Sequence, residues 1–173
     1  GVEDVRIARC PIRWINWTSD PLAIPGPDDN AQPLIVYGEG LDSANAVSDL
    51  RLDSLNVYEN ITGFSEAISI DGNVNGFVVN ECDVHDNTNI GILAAGGYGV
   101  SANVTVDRAR NGNITKNRCW NNVSSYATSG GIYLDGAQGV LLMYNRCWGN
   151  GYGIEIGCEQ DGATEACYVL DNE

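Results

Sequence analysis

Residues 131–159 read GIYLDGAQGVLLMYNRCWGNGYGIEIGCE. Two short strands, IYLDG (132–136) and IEIGC (154–158), alternate aliphatic and other residues, as a strand with one face buried must. Between them stand a third apolar piece, VLL (140–142), and a polar turn rich in Asn and Gly. An antiparallel sandwich would need hairpins between neighbouring strands, and these are lacking, so neighbouring strands are expected to run parallel. A chain that repeats strand, turn, strand without hairpins is expected to coil.

The same pattern extends through the chain. Short strands precede an Asn-rich turn at 5–7 (VRI), 50–52 (LRL), 77–79 (FVV), 112–114 (GNI), 140–142 (VLL) and 167–169 (CYV). Five residues past the second inward position of each comes an apolar residue: Ile12, Val57, Val84, Cys119 and Cys147. Three further on stand Asn60, Asn87, Asn122 and Asn150, with Ile15 in the first coil. Asparagines stacked in this way form a ladder whose amides bond to one another and to turn backbone. A second strand closes each coil at LIVYG (34–38), ISIDG (68–72), ILAAG (92–96), IYLDG and IEIGC. Its inward columns are Leu34, Ile68, Ile92, Ile132, Ile154 and Val36, Ile70, Ala94, Leu134, Ile156. The spacing between coils varies from 22 to 45 residues because loops leave the wall while the strands keep register. The expected architecture is all-β, a right-handed parallel β-helix of about five coils with uncapped ends, formed by residues 1–173 as a single domain.

Composition agrees and excludes several functions. Twenty-one glycines and few helix-forming runs argue against helices. Nine Lys and Arg stand against 23 Asp and Glu, for a net charge of −14, which repels nucleic acid and anionic membranes. No apolar run is long enough to span a bilayer. Six cysteines and five Asn-x-Ser/Thr sequons point to an extracellular or cell-surface, oxidising setting. Of the sequons, Asn60 and Asn122 fall on the ladder, leaving Asn16, Asn103 and Asn113 as glycosylation candidates.

Segments 65–92, 107–122 and 131–159 resemble the middle coils of right-handed parallel β-helix repeat proteins of bacteria, a group that includes secreted polysaccharide lyases and mannuronan epimerase-like proteins. The resemblance implies this fold and a carbohydrate-rich environment. It carries over no catalytic set, because no active-site motif matches residue by residue.

Two cysteine pairs are disulfide candidates. Cys119 and Cys147 share a column in adjacent coils, where strands lie about 4.8 Å apart, within reach of a bridge; stacked thiols used as small apolar residues are the alternative. Cys158 and Cys167 flank the acidic loop EQDGATEA (159–166) and could pin it. Cys10 and Cys82 share a column interrupted by Leu55. With no CxxC and one histidine, a zinc site is not expected.

Chemistry, if any, belongs on the outward rows of the second strand. One row reads Tyr37, Asp71, Ala95, Asp135, Gly157; its neighbour reads Ile35, Ser69, Leu93, Tyr133, Glu155. Asp71, Asp135 and Glu155 are candidate acid and base groups for glycoside cleavage, or oxygen ligands for Ca²⁺ in a chain for which no cofactor is otherwise expected. Against this, Asp-Gly at 71–72 and 135–136 is ordinary turn chemistry. Arg108 and Arg110, in the excursion after Gly96, could hold a sugar carboxylate. Tyr133, Trp120 and Trp148 could stack on sugar rings, although Trp120 and Trp148 also continue an aromatic row with Tyr58 and His85 that would simply pack.

Two functional expectations follow. Uncovered sheet edges at both terminal coils suggest either a longer chain or copies stacking head to tail into an extracellular, glycosylated structural filament. The alternative is a polysaccharide-active enzyme, whether lyase, epimerase or glycoside hydrolase, or a carbohydrate-binding module. A uronate lyase needs positive charge at its site, for which one lysine is a poor supply.

Overall fold

The computed structural model describes residues 1–160 and 162–173; within the acidic loop after Cys158, residue 161 lies outside the described residues. The chain is a parallel β-helix with three walls. The first wall stacks Val2–Glu3 and Arg6–Ala8 beside Val47–Asp53, then Val74–Asn80, Ala109–Thr115, Leu141–Met143 and Tyr168–Leu170. The second stacks Pro11–Arg13, Asn56–Tyr58, Asp83–His85, Arg118–Trp120 and Arg146–Trp148. The third stacks Leu34–Gly38, Ile68–Gly72, Ile92–Ala95, Gly130–Asp135 and Tyr152–Gly157. All pairings between these strands are parallel and follow the columns expected from the sequence. Ile7, Leu52, Val79, Ile114, Leu142 and Val169 are successive register partners. So are Leu34, Ile68, Ile92, Ile132 and Ile154.

The walls meet because single residues turn the strand into the left-handed backbone region. Arg9, Ser54, Glu81, Lys116, Tyr144 and Asp171 form one column of such residues, with φ between 51 and 59°. Trp14, Glu59, Asp86, Asn121 and Gly149 form a second, and Asp4, Asp49, Gly76, Asn111, Gly139 and Ala166 a third, which bends the long first-wall strands. A non-glycine residue in this region is disfavoured by roughly 1 kcal/mol or more. Hydrogen bonds at the corners offset that strain.

At the second corner Asn60, Asn87, Asn122 and Asn150 form the expected ladder. Asn87 donates to Asn122 at 2.9 Å and to the Val57 carbonyl at 3.1 Å, and Asn122 in turn donates to Asn150 at 3.2 Å and to the Val84 carbonyl at 3.0 Å. In the first coil the backbone N–H of Ile15 donates to Asn60, so the ladder ends on backbone where an amide is lacking. A second asparagine ladder, Asn117, Asn145 and Asn172, occupies the first corner. In this column Cys82 replaces the amide with its thiol, which donates to the Leu52 carbonyl as Asn117 donates to that of Val79.

The interior is a continuous aliphatic column in which Leu52, Ile68, Val79, Ile92, Ile114, Ile132 and Leu142 are fully buried. Its bulk varies between coils in compensation: Phe77 projects over Gly112, where even a Cβ would sit 2.1 Å from the ring. Outside the second wall Tyr58, His85, Trp120 and Trp148 stack nearly parallel, with centroids 5.1, 4.0 and 5.0 Å apart. Arg13 extends the row over the Tyr58 ring at 5.6 Å. No helix is long and apolar enough to cross a membrane among the described residues.

Candidate functional site

The outward rows of the third wall form the floor of a cleft of about 620 Å³. Pleating sends Ser69, Leu93 and Tyr133 outward in one row and Tyr37, Asp71 and Asp135 in the next, because inward positions alternate with them. Loops leaving the coils raise the sides: Pro27 and Asn30 from the first excursion, Phe64 and Glu66 from the second, Tyr98 and Thr128 from the later ones, and Glu159 beyond the last strand. Phe64 meets Tyr126 edge to face at 5.5 Å, and the Tyr126 hydroxyl donates to the Gly63 carbonyl, so this side is braced.

Among the described residues, four carboxyl groups line the cleft: Glu66, Asp71, Asp135 and Glu159. Asp135 is only 1 % exposed, and both of its oxygens accept hydrogen bonds. One comes from the Tyr98 hydroxyl and the other from the backbone N–H of Glu159 at 2.8 Å. Asp71 accepts from the Gly72 N–H at 2.6 Å through Oδ1, while Oδ2 has no partner among the described residues. Burial, with Asp107 and Asp135 adding like charge, pushes the Asp71 carboxyl up to about 6. Glu66 is moved further: burial, then the neighbouring charges of Asp71, Asp135 and Glu159, push it up to about 8. The phenol of Tyr133 reaches Glu159 at 3.4 Å and is held above the usual range by burial and the surrounding acids. Burial and like charge thus favour the protonated form of Glu66 beside the other acids of the cleft, an arrangement general acid–base chemistry can use.

Of the residues singled out in the sequence, Asp71, Asp135 and Tyr133 come together here. The ordinary turn role suits Asp71, which caps its own Gly72, but not Asp135, whose bonds run to a loop and to the next coil. Glu155 is the register partner of Tyr133 yet does not line the cleft; its charge acts on the phenol of Tyr152, which burial and Glu155 together hold high. Neither Arg108 nor Arg110 lines this cleft. Arg108 pairs with Glu165 at 3.2 Å. Arg110 sits in a first-wall strand rather than in the excursion, its guanidinium spent on Asn73 Oδ1 and on the carbonyls of Val106 and Arg108. Trp120 and Trp148 lie on the second wall, facing each other rather than the cleft.

Among the described residues no three His, Cys, Asp or Glu side chains converge as a metal site. All six cysteines are thiols. Cys119 and Cys147 are register partners in contact. Cys158 and Cys167 donate separately, to the carbonyls of Gln160 and Glu165. Of the sequon asparagines, Asn113 points to solvent from a strand and Asn16 is exposed, whereas the Asn103 amide nitrogen is engaged by the Leu41 carbonyl at 2.7 Å.

Glu66, Tyr98 and Glu159 were not legible as site residues. They lie in excursions of irregular length that no column indexes, and only folding returns them over the floor. Comparison with models of protein families, with curated proteins and with solved structures finds no match.

Proposed function

We propose that the third-wall cleft binds a glycan and hydrolyses a glycosidic bond, in an extracellular setting. The observation that carries this reading is Glu66: a carboxyl pushed up to about 8 holds its proton at neutral pH while facing other acids in a cleft with aromatic sides. Glu66 would give its proton to the departing glycosidic oxygen. Asp71, with one oxygen free in the cleft, would take a proton from the attacking water, whose oxygen bonds to the anomeric carbon as the carbon–oxygen bond to the leaving sugar breaks. Tyr98 and the Glu159 N–H would hold the Asp135 carboxyl in place beside the oxocarbenium-like transition state. Lyase and epimerase chemistry on uronates is less well served, since no Lys, Arg or His lines the cleft among the described residues. The test is release of reducing ends from a broad glycan panel. Wild-type turnover that drops by about a hundredfold or more in both Glu66→Gln and Asp71→Asn supports the reading, and absence of product across the panel removes it.

A second reading, end-to-end assembly into a structural filament, is favoured by one observation. Ile156 and Val169 are each 46 % exposed, whereas their partners Leu134 and Leu142 in the preceding coil are 0 % exposed. A further coil, from the same polypeptide or from another copy, would bury them. Electron microscopy of the native full-length protein separates the two sources: filaments support assembly, and discrete particles of one chain exclude it.

A further inference from the structure

We propose that the third-wall cleft selects glycans that carry free ammonium groups, de-N-acetylated hexosamine units, over uronates and over neutral N-acetylated sugars. This rests on reading the cleft as a glycan site and adds the class of sugar it takes.

Charge in the cleft is all of one sign. Glu66, Asp71, Asp135 and Glu159 supply the ionisable acids, and no basic side chain lines it among the described residues. Arg108 and Arg110 are committed to partners outside the cleft, to Glu165 and Asn73 respectively. Carboxylates crowded into a partly dry cavity repel one another, which is why burial and like charge raise Glu66 and Asp71 together. A cation entering the cleft relieves that repulsion, while a uronate adds to it. A neutral sugar does neither.

Two further features point to a ligand rather than to an acidic patch alone. Ser69 is 4 % exposed, lies on the cleft floor between the coils that bear Ile35 and Leu93, and its hydroxyl has no partner among the described residues. The hydroxyl opens into the cleft rather than being sealed within the protein, so a sugar hydroxyl or ammonium can bond to it. Tyr37, Phe64 and Tyr98 line the cleft, and aromatic rings attract cations and the C–H faces of sugars alike.

The experiment is calorimetric titration of the full chain with three tetrasaccharides: β-1,4-linked glucosamine, its N-acetylated form, and galacturonate. The glucosamine tetramer is expected to bind at least about tenfold tighter than the N-acetylated one, with no detectable uronate binding. Because a chain of net charge −14 attracts any polycation, the site is tested by variants. Asp71→Asn and Glu159→Gln should each weaken glucosamine binding about fivefold or more, whereas Glu3→Gln, on the exposed first strand outside the cleft, should leave it unchanged. Equal loss in all three variants would reveal diffuse attraction and overturn the proposal. Preferential binding of the N-acetylated or uronate tetramer, sensitive to Ser69→Ala, would overturn the selectivity while leaving the cleft a glycan site. Binding of none of the three would remove both.

Discussion

The hydroxyl of Tyr98 donates to Oδ2 of Asp135 across the cleft, tying the excursion that follows the third coil's wall strand to the floor of the fourth. The same carboxylate is held from the other side by the Glu159 N–H. Removing the phenol in Tyr98→Phe leaves the ring and its packing but strips one of two donors from a buried carboxylate. A hydrogen bond to a charged group contributes about 1.5–3 kcal/mol, so glycan affinity or turnover should fall about tenfold or more with the fold intact. Calorimetry for binding and circular dichroism for the fold check this together.

The raised carboxyls fix the direction of the pH dependence of stability. Glu66 moves from its ordinary 4.5 to about 8 on folding, and Asp71 from 3.8 to about 6. Between each pair of values the native chain keeps a proton that the unfolded chain has released. Stability therefore falls as pH rises through these windows, by up to about 1.4 kcal/mol per pH unit for each group. Asp53 acts oppositely: its hydrogen bond to Arg6 lowers its pKa, so its contribution is lost as pH falls below the ordinary 3.8. The net charge of −14 at neutral pH works in the same direction as Glu66. The urea midpoint is expected to be highest near pH 4 and to decline toward pH 8. Glu66→Gln should flatten the part of that decline between pH 6 and 8, and a variant that tracks wild type there would contradict the assignment.

The first-corner ladder should be a principal support of the fold. Asn145 is fully buried and joins three coils, accepting from the N–H and amide of Asn117 and donating to Ile114 O and Asn172. Asn145→Ala deletes these bonds and orphans buried backbone groups, for an expected loss of about 2–4 kcal/mol in urea unfolding. Asn113→Ala, exposed on the same strand system, should change stability by less than about 0.5 kcal/mol.

Phe77 and Gly112 are complementary in volume, so their substitutions should not be additive. Gly112→Ala forces the Phe77 ring to move, because a Cβ there would lie 2.1 Å from it, and should cost about 1–3 kcal/mol. In a Phe77→Leu background the same change should cost less, a coupling visible in a double-mutant cycle.

The outer aromatic row has a spectroscopic consequence. Trp120 and Trp148 stack 5.0 Å apart with planes 5° from parallel, so their transitions should couple in the aromatic circular dichroism. Trp148→Leu should abolish that signal and destabilise the chain by about 0.5–1.5 kcal/mol, with glycan binding on the third wall unaffected.

The sequence by itself determined the walls. A strand repeats every two residues, so inward positions declare themselves as aliphatic columns, and Ile7 to Val169 or Leu34 to Ile154 could be indexed because each coil must set its residue on the one beneath. The Asn60–Asn150 ladder was legible for the same reason. The Asn117–Asn145–Asn172 ladder shares its three-residue offset from an inward aliphatic, but Cys10, Leu55 and Cys82 fill the slot in the earlier coils and mask the column. Tertiary structure alone decided the cleft. Asp71 and Asp135 sit on indexed strands, but Glu66, Tyr98 and Glu159 ride on loops whose lengths obey no period, and their return over the floor depends on packing between segments far apart in sequence. The committed states of Arg108 and Arg110 likewise arise from partners such as Glu165 and Asn73, which no spacing in the chain connects to them.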